Sequence, residues 1–249
     1  MSSNPGFIPA SLALQQTTAN QGGVCPHKLT TGGNSKFCGI GLILVSALSL
    51  LAMSHHPYST ASETKGIMQD IVSYSSLAGM VHGVMILVVM AYTILLLLYS
   101  QARNLQKTLV ASGFCFFITG SILLIGAAIV SGFISPELAI SYMDRPDTQL
   151  DNFEALLTLG HVSNQALARS GSVMWLASCL FWSIELFSAD KFEGALSILG
   201  IFLSVSTGAA LVSGYLDLSV SGMTMIVAAI AIWSSGLGSL LIYQSRMQK

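Results

Sequence analysis

Histidine occurs five times in the chain, and four of these residues are His55, His56, His82 and His161. Methionines sit beside three of them. Met53 precedes His55 and His56, and Met85 follows His82 by three positions, which puts both side chains on one helix face. Imidazole with thioether is a donor set suited to copper, above all the reduced ion. The same histidines suit a b-type haem with two axial ligands such as His82 and His161. Arg169 would then match a propionate in geometry. His82 is the sharpest of these residues, because it lies just inside an apolar run. An ionisable group there is costly and faces a bundle interior or a wet cavity. The candidate metal or ligand set is therefore His82, His55, His56, His161, Met85 and Met53, with Arg169 and Asp217 as a candidate ion pair across the same mouth. The plainer reading makes His82 a neutral group bonded to a neighbouring helix, the methionines gap fillers, and Arg169 and Asp217 solvated headgroup contacts.

These residues must be positioned by a membrane bundle. Hydrophobic residues make up 53% of the chain and charged residues 8%, whereas a soluble domain is about one quarter charged. A span needs about 20 mostly apolar residues. The segments that meet or approach this run over 37–53, 77–99, 109–134, 171–187, 195–216 and 222–243. The expected fold class is thus an all-α membrane protein, a six-transmembrane-helix bundle. A net charge of -1 gives no footing for nucleic acid, and the expected partner is the lipid bilayer.

Lysine and arginine set the orientation. With a cytoplasmic N-terminus, Lys28, Lys36, Arg103, Lys107, Lys191, Arg246 and Lys249 fall inside, and Lys65, Arg145 and Arg169 outside. Both termini are therefore expected in the cytoplasm, and the histidines on the outer face. Residues 1–36 read as a polar cytoplasmic tail, because Gln, Thr, Asn and Gly dominate them. Cys25-Pro26-His27 in that tail lacks the second Cys or His pair of a zinc site. The four cysteines do not form a disulfide framework, since two fall inside spans and two flank a cytoplasmic segment.

An internal echo organises the bundle. Residues 126–133, GAAIVSGF, return as residues 208–215, GAALVSGY. Upstream, Val84-Met85 matches Val173-Met174, and Gly113 matches Gly200. Spans two and three then form one hairpin, and spans four and five form another in the same orientation: parallel internal helix-hairpin repeats. Ala128 and Gly132, like Ala210 and Gly214, are four apart, a spacing that lets helix backbones approach. Two long connections, 54–76 and 135–170, are expected to carry interfacial helices over the outer end, with Asp151 as the N-cap of the second.

No phosphate-binding Gly-rich loop, nucleophile elbow or His-Glu-x-x-His helix occurs. No catalytic residue stands out, and no span carries a central acidic group of the kind used by proton-coupled pumps. The loop at 60–76, the inner turn at 99–107 and the long loop carrying His161 resemble those of a broad group of six-helix bacterial inner-membrane proteins. That resemblance covers about residues 37–243. It implies a bacterial inner membrane and assigns no residue a role. Function is expected to be ligand, metal or haem binding at the outer mouth by an accessory or redox-partner subunit. The alternatives are a transporter or lipid-handling protein, and a structural subunit whose small-residue stripes meet other membrane subunits or a second copy of the chain.

Overall fold

A computed structural model describes residues 32–59, 61–187 and 190–247. The tail at 1–31, including Cys25-Pro26-His27, lies outside the described residues. All regular structure within them is helical: α1 (Gly32–Ser54), α2 (Thr64–Ser73), α3 (Ser75–Ala102), α4 (Thr108–Ile129), α5 (Ser135–Tyr142), α6 (Leu150–Glu185), α7 (Lys191–Val212) and α8 (Val220–Met247). A π-helical turn, Val130–Ile134, joins α4 to α5.

Five helical stretches are long and apolar enough to cross a membrane: Asn34–Ser54, Ser75–Ala102, Thr108–Tyr142, Lys191–Val212 and Val220–Met247. Their outward faces carry exposed Leu44, Leu87, Ile94, Ile122 and Phe202, which fits a lipid environment. Helix α6 is not among the five, yet it packs against α4, α7 and α8. Its C-terminal half turns Ser172, Trp175, Ser178, Cys179, Trp182 and Ser183 into the protein. Because these groups are buried, the helix carries fewer lipid-facing apolar residues than its neighbours, and its hydropathy is lower for that reason.

The six long helices form a closed ring. Each packs against the next in the order α1, α3, α4, α6, α7, α8, and α8 returns to α1. Two crossings are close enough to need glycine on both sides. A Cβ added at Gly39 of α1 would fall 2.5 Å from the carbonyl oxygen of Gly238 of α8, and the reverse distance is the same. A Cβ at Gly120 of α4 would fall 2.8 Å from the oxygen of Gly171 of α6.

The residues of the sequence echo behave alike in one place and differently in another. Gly113 of α4 packs on Trp182 of α6, and Gly200 of α7 packs on Trp233 of α8. The two indoles stack at 5.8 Å. The two octapeptides, however, part company at their last glycine. Gly132 is helical, sits in the π turn and is buried. Gly214 is exposed and ends its helix with φ +81°. Expected as a packing residue, Gly214 is instead a helix-stop glycine, after which Leu216 N–H donates back to Ala210 O at 2.9 Å. Downstream sequence explains the divergence. Ser135 and Pro136 restart a helix at once, and the Ser135 hydroxyl donates to Val130 O at 3.0 Å. After Gly214 comes Tyr215-Leu216-Asp217, and Asp217 organises a turn by accepting from Ser219.

Helices α2 and α5 cover one end of the ring. Met68 and Ile71 of α2, Ala139 of α5 and Phe153 of α6 form a small core of their own. The expected separate helix after residue 150 is not separate. Helix α6 runs unbroken for 36 residues, with Gln149 in the cap position and Asp151 in the first turn. Asp151 therefore faces the unsatisfied N–H end of the helix from within it rather than capping it.

The opposite end is fastened by charge. Arg103, just past α3, sends Nε to Glu185 at 2.9 Å and Nη1 to Glu193 at 3.1 Å. Lys107 reaches Glu185 at 2.7 Å, and the Gln244 amide donates to Glu193 at 2.9 Å. The ends of α3, α6 and α8 and the start of α7 are thus tied together. Burial alone would lower the pKa of Arg103, but the facing Tyr99 and the two carboxylates outweigh it and raise the value.

Candidate ligand cavity

At the α2/α5 end the ring holds a partly open cavity of about 150 Å³. Four of its lining residues belong to the candidate set: Met53, His56, His82 and Met85. His82 is 3% exposed and points inward from the second turn of α3. It takes this position because Gly132 of the π turn has no side chain; a Cβ there would overlap that of His82. His56 follows the end of α1, where the chain turns toward Pro57. The two imidazole rings meet edge to face, with centroids 4.8 Å apart and planes at 70°.

Backbone carbonyls fix both rings. His82 Nδ1 lies 2.8 Å from Ala78 O, and His56 Nδ1 lies 2.9 Å from Pro57 O. A carbonyl can only accept, so each Nδ1 carries the proton and each neutral ring presents a bare Nε2. Burial pushes the His56 pKa below its ordinary value, against the smaller opposing effect of the Pro57 bond. Two neighbouring imidazoles with free Nε2 lone pairs suit a ligand that accepts electron pairs.

The rest of the cavity grades from polar to apolar. Asn164 and Gln165 of α6 bring amides, and Ser49, Ser131 and Ser219 bring hydroxyls. Tyr92 and Trp175 line the wall. Behind Tyr92 its hydroxyl is held by Ser46 at 2.9 Å and Ser234 at 3.2 Å, a buried cluster that joins α1, α3 and α8. Trp175 donates to the Ser121 hydroxyl at 3.1 Å. The two amides were missed from sequence. Their only signal is that Asn164-Gln165 interrupts the approach to an apolar run.

The remaining candidates do not join this site. The four histidines do not form one cluster. His55 is exposed, and its Nδ1 is 3.0 Å from Leu51 O, back along α1. His161 is exposed on α6 and does not line the cavity. Arg169 is exposed as well, and among the described residues no ion pair joins it to Asp217. The Asp217 carboxylate accepts from the Ser219 hydroxyl at 2.6 Å and from its backbone N–H, which together lower its pKa. Of the expected packing residues, Ala128 lines the cavity and Gly132 supports His82, whereas Ala210 is half-buried on α7. Among the described residues no group of three or more His, Cys, Asp or Glu is placed to hold a metal ion. Cys38, Cys115 and Cys179 are free thiols.

No protein-family model, no curated protein and no solved structure matches this chain.

Proposed function

We propose that this chain is a six-span inner-membrane protein that binds a compact ligand in the cavity through Nε2 of His56 and His82. It acts as a binding or accessory subunit. Helix α6 serves as the sixth span. The α2/α5 end faces away from the cytoplasm, with both termini on the cytoplasmic side, as the distribution of lysine and arginine favours. The observation that carries the reading is the pair of imidazoles 4.8 Å apart on one cavity, each with Nδ1 bonded to a carbonyl and a lone pair left on Nε2. A cavity of about 150 Å³ matches a single aromatic ring in size. It is small for a haem, and the second axial candidate, His161, stands outside it.

The test is to purify the protein in mild detergent and measure co-purifying metal and small molecules by elemental analysis and native mass spectrometry. The wild type should retain a bound species, and His56→Ala and His82→Ala should lose it while remaining monodisperse. Equal retention by the double variant would remove the reading.

A second reading, transport, draws on a different observation. The bundle is hollow at one end and closed at the other by the Arg103–Glu185–Glu193 network. Solute flux in proteoliposomes discriminates the two, and no flux across a broad panel leaves binding alone.

A further inference from the structure

We propose that the ligand of this cavity is a monovalent soft cation, Cu(I), held by Nε2 of His56 and His82 and completed by the thioethers of Met53 and Met85. The inference rests on the reading of the cavity as a ligand site.

Three features of the site narrow the ligand. The first is the tautomer. Both Nδ1 atoms are bonded to backbone carbonyls, the usual second partner of a metal-bound histidine, which fixes the tautomer and the ring. Among the described residues neither Nε2 receives a hydrogen bond, although the rings are 4.8 Å apart. The second is softness. Among the described residues no carboxylate lines the cavity, and its donors beyond imidazole are the thioethers of Met53, Met85 and Met223, hydroxyls and amides. Calcium and magnesium require several hard oxygen ligands. Zinc sites draw their ligands from thiolate, imidazole and carboxylate, and here only two imidazoles qualify. Imidazole with thioether selects Cu(I). The third is charge. Every donor in the cavity is neutral, and the cost of burying an ion rises with the square of its charge. A monovalent ion is therefore favoured over any divalent one.

Chain geometry agrees with this assignment. Met85 lies three residues after His82 on α3, and Met53 lies in the last turn of α1, three residues before His56 in the segment that follows it. Helix α3 and the end of α1 with its following segment thus each bring one imidazole and one thioether to the same space.

The probe is Cu(I) itself, supplied anaerobically with a chromophoric chelator as competitor. Cysteine thiols are alkylated first, because they would bind the same ion. The expected result is one Cu(I) per chain, with nitrogen and sulfur scatterers in X-ray absorption. Binding should be lost in His56→Gln and His82→Gln, chosen to keep side-chain volume. It should weaken by about tenfold or more in Met53→Leu and Met85→Leu, with loss of the sulfur signal in the double variant. Undiminished binding in the double glutamine variant would overturn the assignment, as would no binding by the wild type. If the wild type refuses Cu(I) yet loses a co-purifying organic molecule in the histidine variants, copper falls and the cavity reading survives. If neither is seen, both fall.

Discussion

Gly132 and His82 occupy adjoining space that only a glycine leaves open: a Cβ at position 132 would overlap the Cβ of His82. A residue in the π turn after α4 thus sets where an imidazole on α3 can point. Gly132→Ala should displace His82 and cost about 1–3 kcal/mol as overpacking. Thermal unfolding in detergent reads the stability, and retention of the bound species reads the site. Unchanged retention in a stable Gly132→Ala protein would show that His82 has another way to reach the cavity.

The matching glycine of the second octapeptide should respond differently. Gly214 has φ +81° and open space around it. Gly214→Ala meets only backbone strain, about 1 kcal/mol, and ligand retention should stay at the wild-type level. A larger loss than that of Gly132→Ala would reverse the roles assigned to the two positions.

Acid should weaken the site with a defined sign. The pKa of His56 is lowered from 6.5 by burial, so Nε2 stays bare down through pH 6.5 and takes up a proton only at more acid pH. The unfolded chain binds that proton first, so stability rises with pH in the interval between the folded value and 6.5. Ligand retention should be flat from about pH 8 to 6.5 and should fall below it. In His56→Gln the stability component of this acid limb should shrink, as followed by the midpoint of thermal unfolding across pH.

Removing Arg103 should be costly. Glu185 is 6% exposed and Arg103 25%, so Arg103→Ala leaves a nearly buried carboxylate with only Lys107. A loss of about 3 kcal/mol is expected. Arg103→Lys should recover little, because one ammonium cannot serve both Glu185 and Glu193 as the guanidinium fork does. Full recovery by lysine would show that charge, and not the fork, holds this end.

The close crossing of α4 and α6 gives a further check. A Cβ at Gly120 would lie 2.6 Å from Trp175 and 2.8 Å from Gly171 O. Gly120→Ala should cost about 1–3 kcal/mol and should also disturb the cavity, since Trp175 lines it. A double variant with Trp175→Phe would relieve part of the loss if the indole is the obstacle.

The five apolar spans were legible because lipid-facing residues dominate them. Helix α6 was legible only as a short run at 171–187. Its serines and tryptophans are buried, so hydropathy understates it, and the helical pattern before Ser170 is polar. His82 was legible because an imidazole inside an apolar run needs a reason. Its partner was not, because His55 and His56 are adjacent and the end of α1 at Ser54 decides which one turns inward. Pro57 O then holds the second. Gly132 and Gly214 share the same local sequence, and no local rule separates them. What separates them is the residues that follow and, at Gly132, a histidine on another helix.

Helix α6 touches all three parts of the molecule. Phe153 sits in the small core under α2 and α5, Asn164, Gln165, Ala168 and Trp175 line the cavity, and Glu185 belongs to the charged network. At 1.5 Å per residue this is a rod of about 54 Å, and it contains no proline. One continuous helix therefore sets the spacing of the platform, the cavity and the charged network along the bundle. A residue inserted within α6 would shift the regions on either side of it by about 1.5 Å along the axis. The three regions are marks on one ruler.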